Sequence, residues 1–389
     1  MTPAGTSRPT FWKGILEPVS RVRPFRNIGT EHGPFVAAYI DDFAIVDFVD
    51  LKNVPKGAAR QSLFAVAGAI LALQDAGLEK EEFAAANAAV VTGSSLMDFG
   101  GIISTMDSVT NRGARGAQAR TVFTANCSGT QEAINQALGS HARSLGLQSA
   151  CCSGLDAIGY AADLVARGDV DMAICGGTEA PLHRCPMIEL RQAGLTPLNT
   201  EMSERVARPF DLWRTTGVVS EGAVMFVLEP EESPRPGYSY ISGYAFANDE
   251  GEQLCSGIIL AAKQALAAAN LRPAQVEAIN AWGPGHRLID QAEYDSLLRV
   301  FHSDLAHIPA GSIKGAVGSA LGAAPAMQVA AAALGQRFGK LPPTVNWRQS
   351  DPACPLNLTA DFRAIDHDIT LISSHGLGGV NSCMVLERC

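Results

Sequence analysis

One pattern occurs twice in this chain, and it restricts the fold more than any other feature. "LALQDAGLEKEEFAAANAAVVTGSS" (71–95) and "QALAAANLRPAQVEAINAWGPG" (264–285) share a plan. Each reads as the end of an Ala/Leu helix, a Gly or Asn that stops it, a short polar link, and a strand entering a Gly turn. Leu73 and Ala76 match Leu266 and Ala269, and Leu78 and Phe83 match Leu271 and Val276. A second pair follows in the same order. "SACCSGLDAIGYAADLVARGDVDMAICGG" (149–177) gives a turn, a helix and a strand ending in Gly-Gly. "SIKGAVGSALGAAPAMQVAAAALGQRFG" (312–339) gives a turn and a small-residue helix, followed later by the strand "DITLISS" (368–374) and "HGLGG". One α/β unit is used twice. The Pro/Glu-rich connector "EPEESPRPGY" (229–238) marks the seam, dividing the chain into halves 1–230 and 231–389.

The strands "AAVVTG", "VDMAICGG", "AVMFVLE" and "ITLISS" are apolar runs without alternation, the pattern of strands covered on both faces. Helices lie between them, so the expected class is α/β, two halves packed in layers around buried sheets. With 47% hydrophobic and 18% charged residues over 389 positions, the chain can bury one large core or two fused ones. A net charge of −9 and the lack of a long Lys/Arg run argue against nucleic acid as a partner. "MTPAGTSRPT" has no apolar signal core, and no uncharged run of about 18 residues is available to span a bilayer. A soluble, cytoplasmic protein with no membrane association is expected. The nine cysteines are scattered and odd in number, unlike a secreted disulfide framework, and none forms a CxxC pair, so no metal site is assigned.

Cys151 and Cys152 open the helix in "QSACCSGLDAIGYA". A thiol at a helix N-terminus faces unpaired N–H groups and the positive end of the dipole, which lowers its pKa, so Cys151 is the candidate nucleophile. Cys152, Cys175 and Cys383 lie inside apolar runs and read as small buried hydrophobes.

Five ordered motifs resemble those of the β-ketoacyl-acyl-carrier-protein synthases. They are the cysteine motif continuing to "GGTEAP", "ARPFDLWRTTGVVSEGAVMFVLE" (207–229), "NAWGPGHRLIDQAE" (280–293), "SIKGAVGSALGAA" and "SSHGLGGVNSCMVLE" (373–387). "CSGLDAIGYA", "EGAVMFVLE" and "LPPTVNW" followed by "DPACPLN" are most similar to ketosynthases of bacterial type II polyketide systems. The resemblance covers the chain except the family's opening strand. It implies a thiolase-like fold, two duplicated α/β halves forming a five-layered α-β-α-β-α body, and a dimer.

The resemblance also places the family's site residues, and several are changed. The nucleophile falls on Cys151. The two histidines that drive malonyl decarboxylation fall on Trp282 and Ser319, and the threonines that touch phosphopantetheine fall on Pro284 and His286. The gating Phe falls on Leu377, and the Phe two before it on His375. Lys314, Asp290 and Glu293 keep the family's supporting charges, and the backbone N–H of Leu377 is the expected oxyanion donor with that of Cys151. Donors at a developing oxyanion contribute about 3–4 kcal/mol each, and neither an indole nor a serine hydroxyl replaces an imidazole as a proton carrier at neutral pH.

The first reading is therefore a non-condensing subunit, comparable to a chain-length factor, that partners a competent ketosynthase in polyketide or fatty acid biosynthesis. The alternative is a Cys151-dependent acyltransferase working without decarboxylation, with His375 or His286 as a relocated base. The third is condensation with rewired residues. No cofactor of the chain's own is implied; the acyl group arrives on the phosphopantetheine of an acyl carrier protein or on CoA. The expected partners are that carrier protein and a second ketosynthase-type chain, as a homodimer or heterodimer. "RVRPFR" (21–26), Arg205, Arg208 and Arg214 are the candidate basic contacts for an acidic carrier protein.

Overall fold

A computed structural model describes residues 1–389, apart from the side chain of Thr30. The first half builds a sheet from β1 (Ala88–Gly93), β2 (Arg143–Leu147), β3 (Met172–Glu179) and β4 (Gly222–Leu228), in the order β2-β1-β3-β4. The second uses β5 (Ser239–Asn248), β6 (Ala278–Asn280), β7 (Ala310–Gly311), β8 (Ile369–Gly376) and β9 (Val380–Arg388), in the order β5-β9-β8-β6-β7. The shared part is the same strand by strand. β1 runs parallel to β2 and β3 while β4 is antiparallel to β3; β6 runs parallel to β7 and β8 while β9 is antiparallel to β8. β5, antiparallel to β9, has no counterpart among the strands of the first sheet.

Helices fill the layers between and outside the sheets. α1 (Arg60–Ala76) and α2 (Gly129–Leu138) cover the outer face of the first sheet, and α4 (Gly257–Ala268) with α5 (Arg287–Phe301) the outer face of the second. α3 (Ser153–Ala166) and α6 (Ala324–Phe338) lie between the sheets, each touching strands of both. This is the five-layered body that the resemblance implies. The apolar strands follow from it: every residue of β1 and β3 is buried, because helices press on both faces.

The repeat seen in the sequence is a repeat of capping geometry. α1 ends at Gly77, whose φ is 62°, and the Leu78 N–H bonds the Leu73 carbonyl at 3.0 Å. α4 ends at Asn270, φ 56°, and the Leu271 N–H bonds the Leu266 carbonyl at 2.9 Å. Both are the left-handed helix stop in which the residue beyond the cap reaches back to the last turn. The paired leucines Leu73 and Leu266 are buried beneath it, as are Leu78, Phe83 and Val276.

The two inner helices meet at their N-termini. A Cβ on Gly154 would lie 2.5 Å from the Gly322 carbonyl oxygen, and one on Gly322 would lie 2.5 Å from the Ser95 nitrogen. Only glycine permits that approach. No helix among the described residues is long and apolar enough to cross a membrane, and none of their His, Cys, Asp and Glu side chains cluster in threes fit to hold a metal ion.

Candidate active site

Cys151 stands on a sharp turn at the entrance to α3. Ala150 before it adopts φ 49°, a left-handed conformation costing an L-residue about 1–2 kcal/mol, and Cys152 is the N-cap of the helix. The turn sets Cys151, 8% exposed, in the wall of a cavity of about 50 Å³. Trp282, Pro284, His286, Ser319, His375 and Leu377 share that wall. The cavity admits a few water molecules and is too small for an extended acyl chain with its walls as they stand.

The expectation of a lowered cysteine pKa is corrected here. Burial pushes the Cys151 thiol up to about 11, and the buried carboxylate of Glu179 adds to the effect. The Leu377 N–H directed at the sulfur, the Ser95 hydroxyl and the Lys314 ammonium pull the other way and do not prevail. The helix N-terminus supplies donors, but the loss of water outweighs them.

Lys314, Asp290 and Glu293 stay outside the cavity and hold the turn that shapes it. Glu293 accepts the N–H groups of Trp282 at 2.7 Å and Gly283 at 2.8 Å, and the Ser373 hydroxyl at 2.6 Å. Asp290 accepts those of Phe210 at 2.7 Å and Gly285 at 3.0 Å, and pairs with Arg214 at 3.4 Å. Burial raises both carboxyls, that of Asp290 to about 7, and lowers the Lys314 ammonium. Lys314 Nζ bonds the Trp282 carbonyl at 2.5 Å and Gln328 Oε1 at 3.0 Å, and sits 3.8 Å from the centre of the indole. Trp282, 3% exposed, is thus clamped by its backbone and by a cation on its ring.

The two histidines differ in how they are held. His286 is half-buried and caps α5, its Nδ1 accepting the Ile289 N–H at 3.4 Å; burial and Arg214 lower its pKa. His375 is buried at the end of β8, with Nδ1 2.9 Å from Asn381 Oδ1 and 3.9 Å from Asp249 Oδ2. Ser319 is fixed through its backbone, its N–H on the Val218 carbonyl at 2.7 Å and its carbonyl receiving Ser220 N–H at 2.9 Å. Leu377 directs its N–H inward while its side chain remains 49% exposed at the mouth.

Sequence reading missed part of the wall and its support. Leu190, Leu195, Gly217, Val219 and Leu321 also line the cavity. Gly217 lies within the quoted "RTTGVVSEGA", yet nothing local marks it as facing the sulfur. Asn381 and Asp249, 132 positions apart, meet only through the pairing of β5 with β9. Among the arginines named for a carrier protein, Arg214 is buried, paired with Asp290 and with Asp351 at 2.6 Å, and is removed from that surface. Arg21 is engaged by Glu17 at 2.5 Å, and Arg23 by Asp41.

A duplicated two-sheet body with a cysteine on an elbow between the sheets defines a thiolase-like protein, and solved structures agree. A β-ketoacyl synthase from Burkholderia phymatum STM815 superposes with a TM-score of 0.91 at 25% identity, covering 100% of this chain and 97% of that one. The ishigamide ketosynthase/chain length factor gives 0.91 at 24% identity, covering 100% and 96%, which bears on the fold alone. Residues 1–233 match the β-ketoacyl synthase N-terminal domain and residues 238–348 the β-ketoacyl synthase C-terminal domain, so the chain belongs to the β-ketoacyl synthase family. A putative polyketide beta-ketoacyl synthase 1 of Streptomyces virginiae is 34% identical over 265 residues, 64% of this chain and 61% of that protein. A 3-oxoacyl-(acyl-carrier-protein) synthase 2 of Coxiella burnetii is 28% identical over 402 residues, 100% of this chain and 96% of that protein.

Proposed function

We propose that this chain is a non-condensing member of the family, acting on carrier-protein-bound acyl chains as the partner subunit of a competent ketosynthase. What supports this reading is that Trp282 and Ser319, to which the resemblance assigns the family's imidazole positions, line the same cavity as Cys151. An indole clamped on Lys314 and a serine cannot shuttle the proton or bear the charge that malonyl decarboxylation requires. Two lost donors at about 3–4 kcal/mol each amount to several orders of magnitude in rate. Proteins of this fold solved as a ketosynthase with its chain length factor motivate a heteromeric partner, with a homodimer as the other arrangement. A type II acyl carrier protein solved with its ketosynthase motivates the substrate carrier.

The test combines malonyl-carrier protein with the purified chain, and co-expression with a complete Cys-His-His ketosynthase. We expect carbon dioxide release no faster than the blank, and a stable complex with the ketosynthase. Decarboxylation above the blank, in the wild-type chain or in Cys151→Ala, overturns the non-condensing reading. A homodimer that excludes the ketosynthase overturns the partner assignment.

A second reading is supported by the sulfur itself. Cys151 and an inward N–H at Leu377 are what acyl uptake from a thioester requires, and neither depends on the missing imidazoles. On this reading Cys151 takes an acyl group and passes it on without extension.

A further inference from the structure

The hydrogen bonds around His375 fix which of its nitrogens carries the proton. Asn381 Nδ2 lies 2.7 Å from Asp249 Oδ1 and 2.9 Å from the Gly379 carbonyl. Both contacts demand a donor, so the other end of the amide is its oxygen. That oxygen faces His375 Nδ1 at 2.9 Å and can only accept, so Nδ1 bears the hydrogen and the neutral ring keeps a bare lone pair on Nε2. Asp249 anchors the arrangement, its carboxylate accepting the N–H groups of Cys255 at 3.2 Å and Gly257 at 3.0 Å. His286 is held the opposite way. Its Nδ1 accepts a backbone N–H, so its hydrogen is on Nε2 and it is a donor there.

The position of His375 matches this chemistry. It shares the cavity wall with Cys151, and the end of β8 abuts the elbow: a Cβ on Gly376 would lie 3.1 Å from the Cys151 nitrogen and 3.0 Å from the Ala150 Cβ. Resting on the reading that Cys151 accepts an acyl group, we propose that His375 Nε2 is the proton acceptor for the Cys151 thiol, with Asn381 and Asp249 as positioning residues that enforce the accepting tautomer. A buried sulfur that is protonated at neutral pH needs such an acceptor.

The step balances. The Cys151 S–H proton moves to His375 Nε2 as Sγ bonds the thioester carbonyl carbon. The carbonyl electron pair moves to oxygen, facing the Leu377 N–H. Collapse expels the pantetheine thiolate, which takes the proton back from the imidazolium. An acyl thioester and a cysteine thiol give an acyl-cysteine and a free pantetheine thiol. His286 cannot take this part without surrendering its cap.

The test follows the rate at which the protein gains acyl mass at Cys151 from hexanoyl-N-acetylcysteamine. His375→Phe installs the aromatic that the family resemblance places there, so the fold should persist, with a melting temperature lowered by no more than the lost Asn381 contact costs. We expect loading to fall by about 100-fold or more. Asn381→Leu should slow loading by about tenfold and move the His375 hydrogen toward Nε2, a readout that a merely structural role would not shift. Long-range proton–nitrogen spectra of the wild-type protein should show His375 protonated on Nδ1 and His286 on Nε2. A wild-type chain that gains no acyl mass ends the acyl-uptake reading and this proposal with it. Wild-type loading with His375→Phe within about threefold of it, or a His375 hydrogen found on Nε2, overturns the relay and leaves acyl uptake standing.

Discussion

Each half of the molecule contains the same elbow, and only one of them carries a thiol. Ala150 at φ 49° stands three residues before α3, and Leu321 at φ 44° stands three residues before α6. Both are non-glycine residues held left-handed, so the backbone cost is met twice. The next residue differs: Cys151 in the first half, Gly322 in the second. The first elbow uses the bend to set a side chain in a cavity wall. The second uses it to vanish, so that its carbonyl can approach Gly154 and its N–H can reach Glu179 at 3.1 Å. Duplication here divides labour: one copy sets a sulfur in the cavity wall and the other makes room beneath it.

Three substitutions probe that division, in descending order of effect. Cys151→Gly makes the first elbow resemble the second, and all acyl mass should disappear from intact-protein spectra while the melting curve remains cooperative; residual acylation at the site would show that the sulfur is not the acceptor. Gly322→Ala pushes a methyl to within 2.5 Å of the Ser95 nitrogen and 2.9 Å of Glu179 Oε2. It should destabilise the protein by about 1–3 kcal/mol, read from the denaturant midpoint, and unchanged stability would mean that the two elbows are not tightly packed. Ala150→Gly removes left-handed strain but adds freedom to the unfolded chain, for a net gain of about 0.5–1 kcal/mol. A loss of stability instead would show that the Ala150 methyl contributes packing that outweighs its strain.

Much of the scaffold was legible because it is written in local pattern. Gly77 and Asn270 stop their helices as their positions suggest, and the non-alternating strands are buried on both faces. Motif order brought Cys151, Trp282, Ser319, His375 and Leu377 to one cavity. The chemistry of the sulfur was not legible, since its protonation is set by burial and by Glu179, which local sequence does not report. The elbow geometry was equally hidden, as alanine and leucine are not residues that advertise a positive φ. The role of Asn381 depends on a carboxylate brought to it by strand pairing, beyond the reach of any spacing rule.

Leu377 has a consequence for which parts of such a site can be lost. Its side chain looks outward while its peptide N–H looks toward the sulfur. A main-chain donor survives every replacement of its residue except proline, whereas an imidazole is deleted by almost any codon change. A main-chain N–H beside the sulfur is therefore robust to drift, and the bulk at the entrance is free to vary without touching it.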